Sequence, residues 1–200
     1  RNRSMSTLNS ICVFCGSKSG NNPQYRQSAV ELGSLMADRN ISLVYGGGSV
    51  GLMGIIADAV LDAGGEVIGV IPQQLAMKEL IHPRVDQMHI VDNMHTRKAL
   101  MSELCDAFIA MPGGFGTLEE VFEVVSWIQL GIYRKPMGLL NTSGFYDPLL
   151  NLVDHCIETE FIKSKYRDLI IADEAPATLV DHLTHHQLPV IEKILDLKET

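Results

Sequence analysis

The stretch from 107 to 120, AFIAMPGGFGTLEE, constrains the fold of this chain more than any other. Residues 107–111 are a short apolar run bounded by turn signals, which favours a buried strand over a piece of helix. Pro112, Gly113, Gly114 and Gly116 follow, and then Val121, Val124, Val125 and Ile128 recur at helical spacing. Strand, glycine loop and helix is the layout that presents free N–H groups to an anion at the C-terminal edge of a parallel sheet. Two readings of Glu120 stand side by side. With Thr117 as the cap, Glu120 occupies the third position on and closes a capping box. Alternatively it points across the sheet edge toward a ligand.

The same unit recurs upstream. Apolar runs at 11–15, 41–45 and 67–71 are each followed by a turn. Helical patterns follow the first two, one from 24 to 40 with Tyr25, Ala29, Leu32, Leu35 and Met36 on its apolar side, the other with Met53, Ile56, Ala57, Val60 and Leu61. Three such units within about 70 residues predict an α/β fold. Nearly continuous apolar strands fit a sheet covered on both faces, and right-handed crossovers put helices there. The expectation is one Rossmann-like open parallel sheet over 11–185. Residues 1–10 are expected to be a tail and 186–200 a C-terminal helical extension. Residues 73–84 read as an irregular crossover and 88–91 as a short strand. Asp92 or Asn93 caps a helix bearing Met94, Arg97, Lys98, Met101 and Leu104. Further strands are expected at 137–140 and 169–172, and short helices at 175–183 and 189–197.

Charge excludes one class of partner. Sixteen basic against 24 acidic residues give a net charge of −8, which disfavours a nucleic-acid polyanion. Every long apolar stretch is interrupted, so no membrane span of roughly 18 residues is expected; the chain reads as cytoplasmic. Cys12 and Cys15 form a C-x-x-C, but it lies within a strand rather than at the helix start a redox pair favours. No H-E-x-x-H occurs, and His182, His185 and His186 share a polar terminal stretch, so no metal site is expected. No lysine sits in an apolar motif suited to a Schiff base, and G-x-S-x-G is missing too.

Neither glycine loop carries the Walker pattern, and neither fits the strict dinucleotide fingerprint after the first strand. The second loop, Gly46-Gly47-Gly48-Ser49-Val50-Gly51, also follows a strand. Two such loops at adjacent strand ends suggest a small phosphorylated ligand in the crevice between them. Arg97 sits three residues from Met94 and four from Met101, near the apolar stripe of its helix. There it either contacts a phosphate or carboxylate in bidentate fashion or snorkels over the apolar face.

Phe14-Cys15-Gly16-Ser17, residues 45–54 (YGGGSVGLMG), Met94-His95-Thr96-Arg97-Lys98 and residues 112–120 (PGGFGTLEE) together resemble the LOG family. Its members are cytokinin riboside 5'-monophosphate phosphoribohydrolases, often mislabelled lysine decarboxylases. The resemblance runs from about Ile11 to about Ile171, with no motif position departing. It implies an N-glycosidase that releases free base and ribose 5-phosphate, needs no cofactor and works as a homodimer. By motif position the catalytic pair is Arg97 and Glu120. The 5'-phosphate is expected on Gly113, Gly114, Phe115, Gly116 and Thr117. Further substrate contacts are implied for Ser17, Gly46 and Lys98. Glu79 corresponds to the base-binding glutamate, and Met94, with Met77 and Phe115, is a candidate lining for the N6 substituent. Adenosine 5'-monophosphate shares every phosphate and ribose contact, so activity on it is expected as well. The competing reading is a non-catalytic nucleotide carrier resembling molybdenum-cofactor carriers, which would need the glycine loops but not Arg97 and Glu120 together.

Overall fold

The computed structural model describes residues 7–76 and 81–189. Met77, Glu79 and the helix expected beyond Pro189 therefore lie outside the described residues. The strands are β1 (Ser10–Phe14), β2 (Ser42–Tyr45), β3 (Val67–Pro72), β4 (Gln87–Val91), β5 (Ala107–Ala110), β6 (Met137–Leu140) and β7 (Ile170–Asp173). The helices are α1 (Pro23–Asp38), α2 (Gly51–Asp62), the single turn α3 (Gln73–Ala76), α4 (Met94–Glu103), α5 (Phe115–Gln129), α6 (Asp147–Glu158) and α7 (Pro176–His185). All seven strands pair in parallel, in the order β4-β3-β2-β1-β5-β6-β7.

Side-chain alternation along each strand divides the core in two. On β1 and just past its end, Ile11, Val13 and Cys15 face a layer built with α1, α2 and α7. Cys12 and Phe14 face the layer built with α4, α5 and α6. The two cysteines thus point to opposite faces of the sheet, which ends the C-x-x-C as a redox pair.

Two expectations are corrected here. The glycine loops after β2 and β5 are not at adjacent strand ends, because β1 lies between those strands. The loop after β1 completes the crevice instead. The capping box is also absent. Helix α5 starts at Phe115 with Gly114 as its N-cap, and no side chain caps it. Thr117 is already the third helical residue and Glu120 the sixth. By contrast Asn93 caps α4, accepting from the Thr96 N–H at 2.9 Å.

Candidate active site

The strand order reverses between β1 and β5, since the chain runs outward from β1 to β4 on one side and from β5 to β7 on the other. In open α/β sheets a crevice forms at the carboxyl ends of the strands at such a point. Three loops meet there and are held by main-chain hydrogen bonds. Met111 N–H donates to the Phe14 carbonyl at 2.8 Å, Gly16 N–H to the Pro112 carbonyl at 3.1 Å, and Leu52 N–H to the Gly16 carbonyl at 3.1 Å. From below, the buried Tyr146 hydroxyl donates to the Met111 carbonyl at 2.6 Å.

This packing dictates two of the glycines. Gly51 has φ +60°, and a Cβ there would overlap the backbone of Ser17. A Cβ on Gly113 would overlap the side chain of Thr117, which is buried directly beneath it. The resulting cleft holds about 340 Å³ and is lined by the 16–20 loop, Tyr25, Leu52, residues 112–114 and Phe145. Ser17, Gly113 and Gly114 lie on its wall. Gly114, Phe115 and Gly116 are exposed, so the first turn of α5 presents bare backbone with no side-chain cap.

Glu120 lies one turn further into α5, half-buried. Burial pushes its carboxyl up to about 7, against the pull of the Arg97 charge. Arg97 arrives from α4, placed one turn after the Asn93 cap. Its guanidinium rests on the backbone of Gly46, where any Cβ would overlap a terminal nitrogen. Nη1 approaches the Met94 sulfur at 3.8 Å. The Arg97 Nε is buried and has no hydrogen-bond partner among the described residues. A cation and a carboxylate of raised proton affinity thus share one electrostatic environment, a pattern that marks functional sites.

The other expected residues are dispersed. Gly46 is buried behind Arg97, Met94 is exposed beside it, and Phe115 is 94% exposed at the start of α5. Lys98 is turned to α5, where its Nζ donates to Glu119 Oε1 at 2.7 Å and Glu123 Oε2 at 2.5 Å. The sequence reading passed over Tyr25 and Phe145, which pack edge-on at 5.8 Å and line the cleft. Tyr25 carried only the signal of a core position on α1, and Phe145 that of a turn. His182, His185 and His186 gather near Asp168 beside the edge strand β7. Among the described residues no three His, Cys, Asp or Glu side chains are grouped as a metal site, and no helix is long and apolar enough to cross a membrane.

The family model described as "possible lysine decarboxylase" matches residues 53–183. The cytokinin riboside 5'-monophosphate phosphoribohydrolase LOG of Oryza sativa subsp. japonica is 51% identical over 170 residues, covering 85% of this chain and 70% of that protein. LOG4 of Arabidopsis thaliana, with the same activity in its name, is 50% identical over 176 residues, covering 88% of this chain and 82% of that one. Among solved structures, the molybdenum cofactor carrier protein of Chlamydomonas reinhardtii superposes with a TM-score of 0.66 at 23% identity, covering 88% of this chain and 98% of that one. That likeness speaks to the fold alone. The family model spans more than half of the chain and the curated relatives most of it, so the chain belongs to the family of the LOG phosphoribohydrolases, the one described as possible lysine decarboxylases.

Proposed function

We propose that the protein hydrolyses the N-glycosidic bond of cytokinin riboside 5'-monophosphates, and of adenosine 5'-monophosphate, to free base and ribose 5-phosphate. The observation that carries this reading is the uncapped N-terminus of α5 together with the electrostatic coupling of Arg97 to the buried carboxyl of Glu120 one turn along, in a chain about half identical to enzymes named for that activity.

In this reading the 5'-phosphate sits on the backbone N–H groups at the start of α5, where the helix dipole favours a dianion. That anchor places ribose C1' toward Glu120, one turn along. The bond from C1' to N9 of the purine breaks with its electron pair going to the base, and positive charge grows on the ribose ring. The Glu120 carboxylate stabilises that charge and accepts the proton of the water that attacks C1'. The departing base takes a proton from solvent. A guanidinium is a poor proton donor, so the role of Arg97 is electrostatic. Its buried Nε, without a partner among the described residues, offers a donor to a substrate oxygen or ring nitrogen. No step requires a metal or an organic cofactor. The same reading assigns Ser17 to the phosphate, Glu79 to the adenine edge and Met94 to the N6 substituent.

A homodimer belongs to this proposal. Phe115 at 94% exposure and Phe122 at 43%, one heptad apart on α5, form an apolar stripe outside the core made by Val121, Val124 and Ile128. The test of the activity is release of free base from the N6-prenylated monophosphate, from adenosine 5'-monophosphate and from the corresponding riboside, measured side by side. Both monophosphates should be cleaved and the riboside poorly, because the glycine loop then has nothing to hold. A methylene in an apolar pocket is worth only about 1–3 kcal/mol, so the two monophosphates should differ modestly. Cleavage of the riboside as fast as its monophosphate would overturn the reading.

A further inference from the structure

Arg97 and Lys98 are neighbours on α4, about 100° apart around the helix, and they serve different partners. Arg97 faces Gly46 and Met94. Lys98 reaches toward α5 instead. Its side chain is only 14% exposed, and it bridges Glu119 and Glu123, one turn apart on α5. These two carboxylates flank Glu120 in sequence. Lys98, Glu120 and Glu123 also line one narrow crevice with Phe14, Phe108 and Tyr133. With both glutamates satisfied at 2.5–2.7 Å, the ammonium is already engaged before any phosphate arrives.

We propose that Lys98 is a positioning residue of the hydrolase site: clamped between Glu119 and Glu123, it docks α4 on α5 and cancels the two carboxylates beside Glu120, so that Arg97 faces Glu120 alone. Without it, three carboxylates within five residues of one helix would share a single cation. The groups that act on Glu120 come from every side. Arg97 and Lys98 lie on α4, and Glu119 and Glu123 on α5. Cys12 and Cys15 lie on β1 and beside its end, and Tyr146 stands at the start of α6. Burial already raises the Glu120 carboxyl, and Lys98 opposes that rise while Glu119 and Glu123 add to it. With burial and Arg97 acting first, the lysine and the two glutamates it clamps trim the pH at which Glu120 becomes an available base.

The proposal rests on the reading of Glu120 as the working carboxylate, and the experiment separates the two. The pH dependence of kcat and KM for a nucleoside 5'-monophosphate is measured for wild type, Lys98→Met, Lys98→Arg and the double variant Glu119→Gln/Glu123→Gln. Lys98→Met should move the acid limb of kcat to higher pH by about one unit, which is about a tenfold loss on the limb, with KM little changed. Lys98→Arg should restore the wild-type limb. The double variant should move it the opposite way, because the lysine charge then acts on Glu120 without its two counter-ions. This second arm holds even if Lys98→Met does not fold. A raised KM with an unmoved limb would mean that Lys98 binds phosphate and would overturn the proposal. Lower melting temperatures with unmoved limbs would mean a structural clamp only and would also overturn it. If Glu120→Gln keeps wild-type turnover, the functional reading itself fails. If Glu120→Gln is inactive while the limbs of the Lys98 and double variants stay in place, only the positioning role fails.

Discussion

Glu120 ties the chemistry to the stability of the fold. An unfolded chain releases this proton near the ordinary carboxylate value of 4.5, whereas the folded chain holds it to about 7. Between those values the folded state binds more protons than the unfolded state, so stability falls as pH rises through that window. Above it the loss is constant, at about 3 kcal/mol. Glu120→Gln removes the ionisable group while keeping its size. Urea titrations should therefore show the variant more stable than wild type at pH 8 and about equal to it at pH 4. Turnover should move the other way, dropping by about 10²-fold or more, because lost transition-state electrostatics cost a few kcal/mol. Arg97→Ala should be severely impaired as well, since it removes the charge that opposes burial of Glu120. A gain in stability joined to a loss of turnover in the glutamine variant is the signature of a functional carboxylate rather than a helix-capping one. The placement of Arg97 near the apolar stripe was legible from its spacing to Met94 and Met101. The direction of Lys98 was not, because which neighbour a long cationic side chain finds depends on the helix packed beside it.

At the scale of elements, the succession of strands and helices was legible because period-2 and period-3.6 patterns and the glycine punctuation agree along the chain. Strand order was not legible. Nothing local says that β1 separates β2 from β5, and the crevice was expected between the wrong pair of loops. The start of α5 was also misplaced. Gly-Phe-Gly is a poor helix former, so Thr117 looked like the cap, yet tertiary packing of Thr117 beneath Gly113 extends the helix back to Phe115. This geometry separates two glycines of one loop. Gly113→Ala forces a clash with Thr117, and both melting temperature and turnover should fall. At Gly116 a Cβ meets nothing within 4 Å. Gly116→Ala should hold or raise stability by about 0.5–1 kcal/mol through helix propensity. It should nevertheless raise KM for the monophosphate, because the bare first turn is the proposed phosphate seat. Thermal melts and steady-state kinetics on the two variants check both halves.

For the whole molecule, the parallel sheet gathers the cleft at its carboxyl edge, and the described residues proposed to act lie on loops or helices that follow β1, β2, β4 or β5. Phe115 and Phe122 form an exposed apolar stripe beside this edge, where the proposed dimer would place a second copy. Light scattering at micromolar concentration should give twice the single-chain mass, and a mass of 22.0 kDa would defeat the dimer. The proposed reaction is cleavage at C1' with the phosphate left in place. The most direct test is a product balance on a purified sample given a cytokinin riboside 5'-monophosphate. The account predicts free base and ribose 5-phosphate in equal amounts, with neither inorganic phosphate nor riboside formed. Phosphate released with intact riboside, or no cleavage at all, would contradict it.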